Sequence, residues 1–487
     1  MKMRIITILI LGIGTLSFGQ GTLTPPGSPT PTMKTLQQVE PRIDLATVLG
    51  DTGTQHKITT PGSYYLSENL VASNSIGIAI FASNVTLDLN GFSIIRSGNQ
   101  AGSKAIYIST IRAITIKNGT ITGFEDGIHA NGSDGNFPNS GSRFEKLSIS
   151  SCSRYGFFVG SESLITDCYF AECRGPSALF AGANSIVQNC TTKNSSGGYG
   201  FHLLAGAKIS NCTAIDSGEY GFYVGSNSIF QTCSATLNKN AGFYLKERIS
   251  VTGCTAFKNG AAGFQAESNC IFKVCSATSN KYDGFALDDN ASVTGCNSIK
   301  NGEDGFFLGN YSIISGCKAS RNKHNGIYAR GYHSKIINCT TSKNEKNGIL
   351  VFKSYSRISG CSANYNGQAG IYAFDMTSGT SHIIISDCMV NWNTTTGILI
   401  NKLSSVLNCS CNANETGIHT VAGRNRIDGN TVRQNNCGIH VPWHDNLITR
   451  NSASENTSDN YDIDSDNHIG TIRSAPGTAG PWDNFEF

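Results

Sequence analysis

Two pairs of carboxylates recur at one fixed interval. Glu267 and Asp288 each stand four residues after a glycine, 21 residues apart, and Lys246 holds the same place 21 residues earlier. Asp283 and Asp304 each stand one residue before a glycine, again 21 apart, with Glu303 beside the second. If the chain winds once per interval, each pair becomes vertical neighbours on adjacent coils. Glycoside hydrolysis uses two carboxyls about 5–9.5 Å apart, and a lyase would add a base or a bound Ca²⁺. Under that reading Glu267, Asp283, Asp288 and Asp304 are the catalytic candidates. The simpler account is a set of solvated turn carboxylates. No cofactor is expected otherwise; Ca²⁺ belongs to the lyase reading alone.

A second column points to binding. Two residues after successive glycines stand Phe158, His202, Tyr223, Tyr244, Phe307, Tyr328, Tyr372, His419 and His440. Aligned on one outer face, these make an interrupted aromatic strip. Tyr223, Tyr244, Phe307, Tyr328 and Tyr372 are its candidate ligand-binding rings, suited to stacking on sugar faces. Cross-strand packing of aromatics explains the same column without a ligand.

Three other groups are weaker. Asp375 and His382 lie in YAFDMTSGTSH, which matches the mannuronan-epimerase catalytic motif at Phe-Asp but has Met376-Thr377-Ser378 where that motif has Pro-His-Asp. A surface insertion fits better. His440, Trp443, His444 and Asp445 offer two imidazoles but no third ligand at a known spacing, so no metal site is expected. Asp462-x-Asp464-x-Asp466 begins like a calcium loop, but Asn467 and Arg473 replace the required Gly and Glu.

What positions these residues is the repeat itself. A Gly followed by Phe or Ile recurs from Gly200-Phe201 to Gly438-Ile439, mostly at 21 or 22 residues, with one step of 27 between Gly370 and Gly397. Nine residues before most of these glycines stands a cysteine, from Cys212 to Cys388; four before stands an asparagine, from Asn238 to Asn393. A leucine-rich repeat would need a Leu lattice and a helical segment, and neither is present. Gly-Phe-Tyr-Val at 221–224 alternates instead, placing Phe222 and Val224 inward and Tyr223 outward. Short strands joined by turns, about three per repeat, predict an all-β right-handed parallel β-helix, a solenoid of 21–22-residue coils with caps at both ends. Phe201 to Phe306 then stack inside it. The asparagines pass hydrogen bonds from coil to coil along a turn and tolerate left-handed backbone there.

The 17 cysteines are odd in number. Stacked Cβ atoms near 4.8 Å exceed the ~3.5–4.5 Å of a disulfide. A ladder of buried thiols is therefore expected, and no CxxC pair suggests zinc.

Composition agrees with a repetitive β protein: 54 Gly and only 15% charged residues, with 24 Phe and 17 Tyr arguing against disorder. A net charge of +3 gives no footing for nucleic acid or an anionic membrane. Residues 1–19 read as a secretory signal, with Lys2 and Arg4 before an apolar run and Ser17 and Gly19 at the cleavage site. No transmembrane segment is expected in the mature chain. A Pro-rich linker follows at 20–43, then an N-terminal cap with irregular coils at 44–126, regular coils at 127–440 and a C-terminal cap at 441–487. The stretch 131–142 should project as a loop.

The segments PPGSPTPTMKTLQQVEPR, PGSYYLSENL and VTLDLNGF, with the tail NLITRNSASENTSDNYDI and final PWDNFEF, resemble a family of bacterial secreted right-handed β-helix proteins. The resemblance implies a pectate-lyase-like β-helix on an exported protein and carries over no catalytic residues. More distantly, the coils are similar to those of polysaccharide lyases and hydrolases, mannuronan epimerases and periplasmic copper-binding accessory proteins. Fold likeness does not transfer those activities. The expectation is an exported, monomeric β-helix that presents an elongated surface to polysaccharide or a cell-surface glycan, or serves as a structural, adhesin-like protein. The alternative is a polysaccharide lyase or glycoside hydrolase.

Overall fold

The computed structural model describes residues 41–98, 101–130, 141–375, 381–474 and 479–487. The signal, the linker through residue 40 and residues 131–140 of the expected loop lie outside them. Ile43–Phe487 form one compact unit. Among the described residues no helix is long and apolar enough to cross a membrane.

One coil shows how the rest are built. The chain runs through Ser250–Thr252, Thr255–Phe257 and Phe264–Ala266, then returns one level higher at Ile271–Lys273. Ser250–Thr252 pairs in parallel with Ile271–Lys273, so Val251 lies under Phe272. Three parallel sheets result. Sheet I climbs from Thr54–Ile58 to Asp459–Ile463. Sheet II contains the strands like Ser250–Thr252 and sheet III those like Thr255–Phe257. The expected parallel β-helix is what forms, and its ladder already runs at Thr54, within the stretch assigned to the N-terminal cap. The 27-residue step keeps register, with Tyr372 opposite Leu399 and Ile358 opposite Ile385.

In the regular coils each corner turns on a single left-handed residue. In this coil they are Gly253 (φ 65°), Lys258 (φ 52°) and Asn269 (φ 64°). Elsewhere even Thr232 (φ 52°) and Val274 (φ 54°) accept this conformation, at a cost of about 1–2 kcal/mol each. Backbone pairing on both sides holds them there. The asparagine ladder sits one residue further on than the left-handed site: Leu237, Lys258 and Ser279 carry the positive φ, not Asn238, Asn259 and Asn280. The ladder itself forms as expected. Asn238 Nδ2 donates to Asn259 Oδ1 at 2.9 Å, and that link repeats through Asn280, Asn301, Asn322 and Asn344 at 3.0 Å each.

Inside, Phe201, Phe222, Phe243, Phe264, Phe285 and Phe306 stack with ring centroids 4.7–4.9 Å apart. Each such pair is worth about 0.5–1.5 kcal/mol beyond burial. Ile327 then takes the column over. All the cysteines are free thiols, and every one but Cys437 is buried. Within the ladder the thiol sulfur accepts from the backbone below, as Cys233 N–H donates to Cys254 Sγ at 3.3 Å. Above Cys409 the same column continues as Asn430 and Asn451.

Candidate functional site

The outward face of sheet I carries a longer file of rings than the sequence pattern suggests. Tyr107, His129, Phe158, Phe180, His202, Tyr223 and Tyr244 follow one another on successive coils, at centroid separations of 6.4, 5.1, 4.7, 4.9, 5.0 and 5.2 Å. Tyr107 and Phe180 escaped the glycine-based register because Ala105 and Ala178 stand where later coils have glycine; His129, two after Gly127, keeps the register but was not counted in the column. Most of these rings cover one another. Tyr223 lies parallel to Tyr244, within 1°, and the edge of His202 meets its other side. Burial holds the His202 imidazole at a pKa of about 4 and hence neutral.

The file then breaks. Gln265 follows Tyr244 in register, Ala286 follows Gln265, and only then do Phe307 and Tyr328 resume it. Where two rings are missing a groove opens, with a volume of about 320 Å³. Tyr244 and Phe307 stand at its two ends, Gln265 and Ala286 form its floor, and Glu267 and Asp288 flank one edge. Thus Tyr244, Phe307, Glu267 and Asp288, drawn from two separate sequence columns, meet in one place. Tyr223, Tyr328 and Tyr372 lie along the same face outside the groove.

The groove is charged at both ends. Lys246 is ion-paired to Glu267 and lies over the Tyr244 ring at 5.2 Å. The Tyr244 hydroxyl is 3.5 Å from the same Glu267 Oε1. Arg330 lies over Phe307 at 5.2 Å. Burial pushes the Asp288 carboxyl above the usual range, Asp289 adds to this, and Arg330 opposes it. Each end therefore pairs an aromatic ring with a cation, and the acids lie between.

Asp283 and Asp304 occupy the opposite edge of sheet I and do something else. Asp304 N–H donates to Asp283 Oδ1 at 2.9 Å, and Asn325 donates to Asp304 Oδ1 from its backbone at 2.8 Å and its amide at 2.9 Å. Asn347 and Ala369 continue the chain of bonds. These two carboxylates begin an Asx ladder that ties neighbouring coils. The structure thus separates the four acidic candidates into a groove pair and a ladder pair.

The remaining groups divide as well. Asp375 is buried and accepts from the Ser354 hydroxyl, whereas Met376-Thr377-Ser378 lie outside the described residues. His382 caps a stack of corner rings, Tyr311, His333 and Tyr355, each 5.1 Å from the next. His444 turns to Asp445 at 3.2 Å. His440 turns away from it, with Nδ1 2.6 Å from Asp462 Oδ2. Asp464 instead accepts from the Asp466 N–H at 3.1 Å, so the three acids of the DxDxD run do not converge.

A family model described as right handed beta helix region matches residues 104–248, 207–311 and 288–436. None of the curated proteins matches the chain significantly. Among solved structures, the A-module of an Azotobacter vinelandii mannuronan C-5 epimerase is similar at 14% identity, covering 69% of this chain and 88% of that one, with a TM-score of 0.38. A periplasmic alginate epimerase is similar at 10% identity over 91% of this chain and 82% of its own, with a TM-score of 0.26. The Dettilon tailspike protein is similar at 12% identity over 82% of this chain and 62% of its own, also with a TM-score of 0.26. The fold is carried by the strand ladder and the family model rather than by these likenesses.

Proposed function

The chain belongs to the right handed β-helix family, and from that footing we propose that it is an exported protein that holds a polysaccharide along the outer face of sheet I, seated between Tyr244 and Phe307. The observation that carries this reading is the break in the ring file. From Tyr107 to Tyr223 each ring of the file is covered by the next, but no ring follows Tyr244 at Gln265 or precedes Phe307 at Ala286. Rings beside positions that carry no ring, with cations and carboxylates at hand for hydroxyl groups, suit a sugar chain. Co-sedimentation with a panel of insoluble glycans tests it. Tyr244→Ala together with Phe307→Ala should weaken retention, while Tyr372→Ala should not; equal retention by all three proteins refutes the groove.

A second reading has its own support. Glu267 and Asp288 are on adjacent coils in the groove, and Asp288 is shifted toward its protonated form by burial. An acid held above the usual carboxylate range beside an ion-paired carboxylate is an arrangement that hydrolysis or lyase chemistry uses. Incubation with uronate and neutral polysaccharides, with and without Ca²⁺, decides between them. New reducing ends or unsaturated products that vanish in Asp288→Asn establish catalysis; binding without products leaves the binding role.

A further inference from the structure

We propose that Cys437, His440 and Asp462 form a site for a single divalent cation of the Zn²⁺ class, on the outer face of sheet I near its C-terminal end. Among the described residues this is the one group of three or more His, Cys, Asp or Glu side chains whose ligand atoms converge, all within 4.8 Å of one another.

The backbone brings them together from two coils. Cys437 and His440 are the two outward side chains of the strand Cys437–Val441, because Gly438 and Ile439 between them turn inward. Asp462 comes from the next strand, Asp459–Ile463, where it lies opposite His440 in register. The third ligand that the sequence pattern around His440 and His444 lacks is thus supplied 22 residues along the chain, one turn higher. Fold periodicity, not local spacing, completes the set.

Cys437 is also misplaced for a structural thiol. The buried cysteine column ends at Cys409 and passes to Asn430. Cys437 lies in a different column, above Thr416, and is the one cysteine that is not buried. A thiolate, an imidazole and a carboxylate together favour a borderline metal such as Zn²⁺ over Ca²⁺ or Mg²⁺, which take all-oxygen shells. Bonds of about 2.0–2.3 Å would set the ligand atoms about 3.3–3.7 Å apart. Atoms now up to 4.8 Å apart close by about 1 Å, while His440 Nδ1 and Asp462 Oδ2, now at 2.6 Å, open by less than about 1 Å. Binding releases the Cys437 proton to solvent, and the proton of the His440–Asp462 hydrogen bond moves to His440 Nε2, or to solvent from the imidazolium, as the cation takes its place. Three protein ligands leave a fourth position open to water or to a donor group of a bound ligand. The His419 ring, 4.7 Å from that of His440 on the coil below, walls the site on that side.

The test uses the full-length, reduced protein after treatment with chelator. Titration with Co²⁺ should give a thiolate-to-metal absorption band in the near ultraviolet that saturates at one equivalent. Zn²⁺ should bleach that band and protect the single thiol that reacts with a disulfide reagent in the native state. Cys437→Ser should abolish the band, and His440→Ala and Asp462→Asn should each weaken binding more than tenfold, while His444→Ala should leave it unchanged. Circular dichroism confirms that each variant keeps its sheet. A folded wild type with no band and no thiol protection overturns the proposal, as does a band that survives in Cys437→Ser. Neither outcome depends on the glycan groove, which lies many coils away.

Discussion

The Asp304 backbone N–H donates to the Asp283 carboxylate at 2.9 Å, so one acid's ladder bond holds the next acid directly above it. Burial, and then the nearby charge of Asp304, lift the Asp283 pKa to about 7. The folded chain therefore binds this proton more tightly than the unfolded chain, whose aspartates titrate near 3.9. Stability from this group is fully present below about pH 4 and is lost as pH rises through about 7. Asp283→Asn keeps the acceptor oxygen, as Asn325 and Asn347 already do one and two coils beyond Asp304, and removes the titration. Urea unfolding should show the variant more stable at pH 8 by about 2–4 kcal/mol, with a flatter profile between pH 4 and 7. A variant that follows the wild-type pH profile would show that Asp283 titrates normally.

The groove makes a prediction that truncation alone does not. Ala286 lies in register between Gln265 and Phe307, so Ala286→Tyr should extend the ring file into the gap. Its new ring would pack against Phe307 as Tyr223 packs against Tyr244, worth about 0.5–1.5 kcal/mol. Thermal stability should hold or rise while glycan retention falls to the level of the Tyr244→Ala, Phe307→Ala double variant. Retention equal to wild type would place the ligand elsewhere on the face.

How much of this could be read from the sequence depends on the range of the signal. The Phe201–Phe306 column, the Asn238–Asn393 ladder and the Cys212–Cys388 ladder all repeat at a nearly constant interval, so stacking follows from counting. The pairing of Tyr244 with Glu267 could be counted too, but the groove could not. It exists because Gln265 and Ala286 carry no ring where their neighbours do, and a search for what recurs passes over what is missing. Asp283 and Glu267 looked alike because both are acids in a column. Only the structure reveals that one accepts from a backbone N–H and the other pairs with Lys246 at the groove edge. The left-handed sites were hidden for a related reason: Thr232, Leu237, Val274 and Tyr311 have no side chain preference for that conformation, and the coil imposes it.

The interior stack should be costly to interrupt. Phe243 lies between Phe222 at 4.9 Å and Phe264 at 4.7 Å, nearly parallel to both, and the edge of Phe230 meets it at 5.6 Å. Phe243→Ala would leave an aromatic-sized cavity and remove three ring contacts, for about 3–5 kcal/mol. Phe243→Leu refills much of the volume and should cost less than half of that. Because each coil contacts only its neighbours, amide exchange in the alanine variant should accelerate most in the coils on either side. Loss of protection spread evenly to both ends would mean that the solenoid unfolds as one unit instead.

The recurring glycine is required by crowding, not by backbone angle. Gly263 has no positive φ, yet a Cβ there would lie 2.7 Å from Asn280 Nδ2 and 2.7 Å from the Gly284 carbonyl oxygen. Neither neighbour can retreat, since Asn280 is fixed by its bond to Asn301 at 3.0 Å and Gly284 by sheet I pairing. Gly263→Ala must therefore push the asparagine ladder outward at one level, breaking about two hydrogen bonds at roughly 1 kcal/mol each and adding overpacking strain of about 1–3 kcal/mol. The same substitution at Gly316, a left-handed corner with open space around it, should cost only about 1 kcal/mol. Urea midpoints for the two variants measure the contrast. If Gly316→Ala proves the more damaging, backbone angle rather than the ladder's proximity selects glycine in this fold.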